Sequence, residues 1–147
     1  MLRRKKFRFL ETALKDVQVA ALQEVHGSED MFRMASPFIR KNFRIESSFK
    51  PIEGNNRTAG GVVTLLRVPR GAKVFVASSI FAAGRVLRTV AELDGRKLIF
   101  WNVHNFGVTA GELNHVVEVL NRDVESAAAD DAVPSFSFSC TLLALVV

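Results

Sequence analysis

Val17-Gln18-Val19-Ala20-Ala21-Leu22-Gln23-Glu24-Val25-His26 is the stretch on which the reading of this chain turns. Val17 and the run Val19 to Leu22 have the character of a strand carried through a core, and a core has no place for a carboxylate. Glu24 therefore stands where the strand leaves its sheet, at the edge where open α/β folds bind ligands. Taken alone, it also reads as a solvated glutamate at a strand end. A second stretch repeats the arrangement: Leu98-Ile99-Phe100-Trp101 runs apolar without a break and ends in Asn102 and His104. Two buried strands that each deliver polar, ligand-capable side chains at their C-terminal ends point to a shared site.

Outward from these two stretches, the local signals are legible. Val86 to Leu93 reads as a strand, Asp94-Gly95 as a favoured two-residue turn, and Arg96 to His104 as the returning arm. That arm is expected to be central and buried on both faces, with Asn102 and His104 on one face because strands alternate. Upstream, Phe7, Leu10, Ala13 and Leu14 fall at helical spacing, so 3–14 is an amphipathic helix with its basic residues outside. Ser28 is an N-cap ahead of Glu29 and Asp30, and Met31, Met34, Ala35 and Phe38 make an apolar face. Pro37 should end or kink that helix near Ser36.

Phe43 to Ser48 alternates as a half-buried strand, and Lys50 to Thr58 is rich in turn formers and is expected to be a loop. Gly60 and Gly61 open a strand over 62–67, and their lack of side chains suggests close backbone approach. A short strand is expected over 73–77. Thr109 and Glu112 form a capping box ahead of a stripe of Leu113, Val116, Val117, Leu120 and Val124. From Asp130 the character changes. Ser135, Ser137 and Ser139 alternate with Phe136, Phe138 and Cys140, which fits either a strand or an aberrant, poorly ordered tail over 130–147.

The 147 residues make at most one domain. The net charge of +5 is local: removing Arg3, Arg4, Lys5, Lys6 and Arg8 from the 20 basic residues leaves 15 against 15 acidic ones. Such a cluster is either the solvated face of a helix or a contact for nucleic acid phosphates. The single cysteine, Cys140, permits no intrachain disulfide and fits a reducing compartment, nuclear or cytoplasmic. The basic start runs into Phe7, Arg8 and Phe9 rather than an apolar segment, so no secretory signal is expected. The apolar stretch 140–147 is far shorter than the ~20 residues a bilayer span requires.

Leu22-Gln23-Glu24 after an apolar strand, Gly60-Gly61 opening a later strand, and Asn102-Val103-His104 closing a hairpin arm together resemble the endonuclease/exonuclease/phosphatase superfamily of DNase I-like enzymes. Its members include abasic-site endonucleases, retrotransposon endonucleases, deadenylases and phosphoinositide phosphodiesterases, and the resemblance extends from Leu10 to Asn121. It implies an α/β fold: a partial DNase I-like sandwich over 1–129, with one mixed sheet and helices on its outer face.

By the same resemblance, Glu24 matches a glutamate that binds Mg²⁺, and His104 matches a histidine close to the scissile phosphate. Asn102 supports His104 by hydrogen bonding, or else satisfies local backbone. Arg57 and His26 are candidate substrate contacts, although His26 also reads as a surface histidine. The implied activity is Mg²⁺-dependent phosphodiester cleavage, with nucleic acid as substrate.

The pattern departs from the superfamily at both ends. The chain starts at the helix that would follow the superfamily's first strand, and the Gly-Asp-x-Asn and Asp-His elements have no counterpart. The expectation is therefore a fragment with weak or no activity, whose uncovered sheet face promotes self-association. The alternative is a non-catalytic α/β module that binds a protein partner or nucleic acid.

Overall fold

Ser28, Ser36 and Thr109 punctuate the helices, and glycine-bearing turns punctuate the strands. In the computed structural model, residues 2–52, 55–93, 95–129, 135–139 and 142–146 are described. The elements are α1 (Leu2–Ala13), β1 (Val19–Leu22), α2 (Glu29–Ala35), α3 (Pro37–Asn42), β2 (Phe43–Ile52) and β3 (Asn55–Arg67). They continue as β4 (Val74–Ala82), β5 (Val86–Leu93), β6 (Arg96–Val103), α4 (Ala110–Ala129), β7 (Ser135–Ser139) and β8 (Leu142–Val146).

The strands form two antiparallel sheets, one in the order β1-β3-β2 and one in the order β4-β5-β6-β8-β7. The first packs α1, α2 and α3 on its outer face, where Leu14, Phe32, Ile39, Phe43, Ile45 and Leu65 are buried. The second packs α4 on its outer face through Val86, Ile99, Trp101, Val116 and Ala127. Between the sheets, Leu66 meets Ala91 and Phe100, with Val19, Val76 and Leu98 around them. The architecture is a sandwich of two sheets with helices on both sides.

The helices lie on outer faces as expected, but two antiparallel sheets stand in place of the one mixed sheet. The long arm β6 is central and doubly buried, as its apolar run requires, but its two faces meet α4 and the opposing sheet. β1 does not lie beside β6. It pairs with β3 in the other sheet, Leu22 opposite Val63. The face expected to be uncovered is therefore the inner face of the sandwich, and the reason given for self-association through it no longer holds.

The expected loop over 50–58 is mostly strand. β2 and β3 extend beyond Phe49↔Gly61 to Ile52↔Asn55, and register shifts on both sides of Pro51 absorb a residue that cannot donate to the ladder. Residues 53 and 54 lie outside the described residues. β4 is also longer than the strand expected over 73–77, and the backbone of 142–146 adds a strand beside β6, with 135–139 beyond it at the edge. Asp94 lies outside the described residues, but Leu93 and Arg96 pair directly across the two-residue connection.

Two helices differ from their expected faces. Ser36 caps α2 at its C-terminus and α3 at its N-terminus, its Oγ accepting from Ile39 N at 3.2 Å and donating to Glu11 at 2.6 Å. On α2 Phe32 is buried while Met31 and Met34 are exposed. On α4, Val116, Asp123 and Ala127 face the sheet, whereas Leu113 and Val117 are exposed. Asp123 holds its inward place by pairing with Arg88 at 2.9 and 2.6 Å and accepting from the Trp101 indole at 3.0 Å. No described helix is long and apolar enough to cross a membrane.

Candidate functional site at the sheet ends

The inner faces of the two sheets are joined at one end by a polar strut. Asn102, wholly buried on β6, donates to the carbonyls of Val63 at 3.1 Å and Leu22 at 3.3 Å in the opposite sheet. Gln23 donates in the other direction, to Val103 O at 2.7 Å and to Asn102 Oδ1 at 3.4 Å. Leu22 turns outward into the α1–α3 core, so the alternation of β1 turns Gln23 inward. These four bonds fix the end of β1 against the end of β6, and the next residues form a corner.

Glu24 follows with φ of 52°, the only described non-glycine residue in the left-handed region. That conformation costs ~1–2 kcal/mol for a residue with a Cβ. The surrounding structure enforces it: Val25 N donates to Gly61 O at 3.0 Å, and Gly60, itself at φ 105°, leaves open the volume beside Glu24 Cα and Arg85. Gly61 has a different reason to be glycine, because a Cβ there would fall 2.4 Å from the ring of Phe49.

Arg85 reaches the corner from the β4–β5 connection. Gly84 N donates to buried Ser48 Oγ at 2.8 Å, which seats this turn on the first sheet. His104, just past β6, donates its backbone N–H to Arg85 O at 2.8 Å. Its Nδ1 lies 2.9 Å from Arg85 Nη1. A guanidinium can only donate, so Nδ1 accepts and the ring proton belongs on Nε2. Nε2 in turn lies 3.5 Å from Glu24 Oε1. His104 is largely buried, while the Glu24 side chain is 67% exposed. Phe106 stands open to solvent on one side, its ring 5.7 Å from the Arg85 guanidinium carbon and 6.4 Å from the imidazole.

The structure thus brings Glu24 and His104 together. Asn102 shares the inner face with His104, but its amide is committed to the Val63 and Leu22 carbonyls rather than to the imidazole. His26 is exposed and lines a separate cavity of about 450 Å³ on the outer side of β1, with Lys6, Phe7 and Met31 among its walls. Glu24 lies between the corner and that cavity. Arg57 falls within β3, close to the connection that joins it to β2, and its side chain lies outside the described residues. Arg85 is not singled out by sequence, and Gln23 enters only as part of the Leu22-Gln23-Glu24 motif, without a role of its own. The available signal was Gly84-Arg85 directly ahead of an apolar strand.

Among the described residues no group of three or more His, Cys, Asp or Glu side chains could hold a metal. Glu24 offers one exposed carboxylate. That suits a cation such as Mg²⁺, which takes one or two protein carboxylates and fills its shell with water and phosphate oxygens. The imidazole presents an N–H at this point and is a donor rather than a ligand.

Comparison with protein families, curated proteins and solved structures finds no match in any of the three.

Proposed function

We propose that the Glu24–Arg85–His104 corner is the metal-and-phosphate site of a domain of the endonuclease/exonuclease/phosphatase type, and that it binds a nucleic acid phosphodiester with Mg²⁺. One observation carries the reading. Glu24 and His104, singled out by two motifs far apart in the chain, lie 3.5 Å apart with Arg85 on the far side of the imidazole. A carboxylate for a hard cation, a guanidinium for a phosphate and an imidazole N–H for an ester oxygen are the groups such binding requires.

Mg²⁺, when bound, would neutralise charge that develops on the phosphodiester oxygens. Glu24 would hold it, Arg85 would attract and orient the phosphate, and His104 would donate from Nε2 to a non-bridging or leaving oxygen. Gln23 and Asn102 position the corner by tying the two sheets together. Among the described residues no second carboxylate joins Glu24 to activate water, so binding is expected to exceed turnover.

The test uses a fluorescent single-stranded oligonucleotide, with anisotropy to follow binding and gel analysis to follow cleavage. Binding should strengthen when Mg²⁺ is added, and Glu24→Gln should remove that increment. Arg85→Ala should weaken binding with and without Mg²⁺. Binding that ignores Mg²⁺ and survives Glu24→Gln would overturn the reading. Binding that instead disappears when Lys6 and Arg8 are neutralised would favour a module that holds nucleic acid through α1 alone.

A further inference from the structure

The unpaired side of β4 carries a second inference, independent of the proposed activity. β4 ends the five-stranded sheet, bonded to β5 on one side and to no described strand on the other. Long edge strands ordinarily carry a lysine, a proline or an inward charge that discourages pairing with another chain. Val74–Ala82 has the sequence VFVASSIFA, with neither a charged residue nor a proline, and its only register shift falls between Ile80 and Ala82.

The strand also extends past its cover on both faces. Phe75 lies on the outer face, in step with Phe81, which packs 4.9 Å from Trp101, yet Phe75 is 66% exposed. Ile80, on the inner face opposite Leu87, is 59% exposed.

The order of residues reads almost the same in both directions about Ser78. Phe75 mirrors Phe81, Val76 mirrors Ile80 and Ala77 mirrors Ser79; the symmetry stops there, because the register shift between Ile80 and Ala82 leaves Ala82 on the outer face beside Phe81. An antiparallel strand centred on Ser78 would set each residue opposite its mirror on the same face, because residues at equal distances from the centre share parity. Aromatic would meet aromatic on the outer face, and aliphatic would meet aliphatic on the inner one. A two-fold interface requires such self-complementarity, since the same patch must serve both copies.

We propose that a second copy of this chain pairs with β4 edge to edge about a two-fold axis at Ser78, so that the five-stranded sheet runs on through a dimer.

Sedimentation of the purified chain over micromolar concentrations tests this. The wild type should dimerise reversibly, with twice the chain mass at the upper end. Ser78→Lys sets two ammonium groups face to face at the axis and should give a monomer with an unchanged circular dichroism spectrum. A second comparison fixes the register and stands even if Ser78→Lys misfolds. The double variant Ala77→Lys/Ser79→Glu places opposite charges across the axis and should remain dimeric, whereas Ala77→Lys/Ser79→Lys should be monomeric. A monomeric wild type, open-ended aggregates in place of a dimer, or equal association of the two double variants would overturn the proposal.

Discussion

Glu24 Oε1 lies 3.5 Å from His104 Nε2, and the two residues follow strands of different sheets. Their meeting depends on two supports: the Asn102–Gln23 strut that ties the sheet ends, and the Arg85 turn that holds the imidazole from behind. Each support can be removed separately, with a different expected result.

The strut is buried, so its removal should be felt in stability. Asn102→Ala leaves the carbonyls of Leu22 and Val63 without their side-chain donor, at a cost of about 1–3 kcal/mol in urea unfolding. Surface variants such as Asn121→Ala should stay within about 0.5 kcal/mol of the wild type.

The Arg88–Asp123–Trp101 cluster beneath α4 is a second buried polar unit. Asp123→Ala strands the Arg88 guanidinium and the Trp101 indole N–H, and should destabilise the fold by about 3–5 kcal/mol. Arg88→Met/Asp123→Leu removes both charges together and should be milder than Asp123→Ala alone. Trp101 is the chain's single tryptophan, so its fluorescence reports the environment directly.

Two left-handed glycines should differ sharply in their tolerance of a methyl group. At Gly84, φ 68°, an added Cβ would fall 2.7 Å from Lys50 N and 2.8 Å from Gly60 O. At Gly95, φ 80°, it would meet nothing within 4 Å. Gly95→Ala should cost about 1–2 kcal/mol, the left-handed penalty alone. Gly84→Ala should cost more in thermal unfolding, and should also displace Arg85 and weaken oligonucleotide binding.

The start of α4 should respond to acid. Thr109 donates to the Glu112 carboxylate from its backbone N–H at 2.8 Å and from its hydroxyl at 2.9 Å, and these bonds hold the Glu112 pKa below its ordinary 4.5. The carboxylate is the stabilising form. Its contribution is complete above the ordinary value and is lost as pH falls through the lowered one. Protection factors of the amides in the first turn of α4, exchange rates divided into the intrinsic rate at the same pH, should therefore fall at low pH in the wild type, and Glu112→Gln should abolish that fall.

Much of this structure is written in local pattern. The Asp94-Gly95 hairpin, the Ser28 and Thr109 caps and the break at Pro37 follow from residue chemistry within a few positions. What the pattern does not carry is which surface covers which. The run Leu98 to Trp101 says that β6 is buried on both faces, but not that one cover is a second sheet. Helical spacing likewise marks Met31 and Met34 as apolar without revealing that α2 buries Phe32 and leaves them to solvent. Asp123, a carboxylate on a buried face, becomes intelligible only with Arg88 and Trp101 around it.

The site divides in the same way. Glu24 and His104 are visible because each interrupts an apolar run. Arg85 is not, because it lies in a turn rather than interrupting an apolar run, and the hydrogen bonds of Asn102 depend on a sheet-to-sheet contact that no strand encodes alone.

Paramagnetic broadening of the histidine ring signals by Mn²⁺, standing in for Mg²⁺, tests the corner most directly. The chain has three histidines, and His115 lies on α4, its ring 5.2 Å from that of Phe81 on the outer face of the second sheet. Mn²⁺ held by Glu24 should broaden the His104 resonances at concentrations that leave His115 sharp, and Glu24→Gln should restore them. Uniform broadening of His104 and His115, or broadening of His104 that persists in Glu24→Gln, would contradict a metal-and-phosphate site at this place.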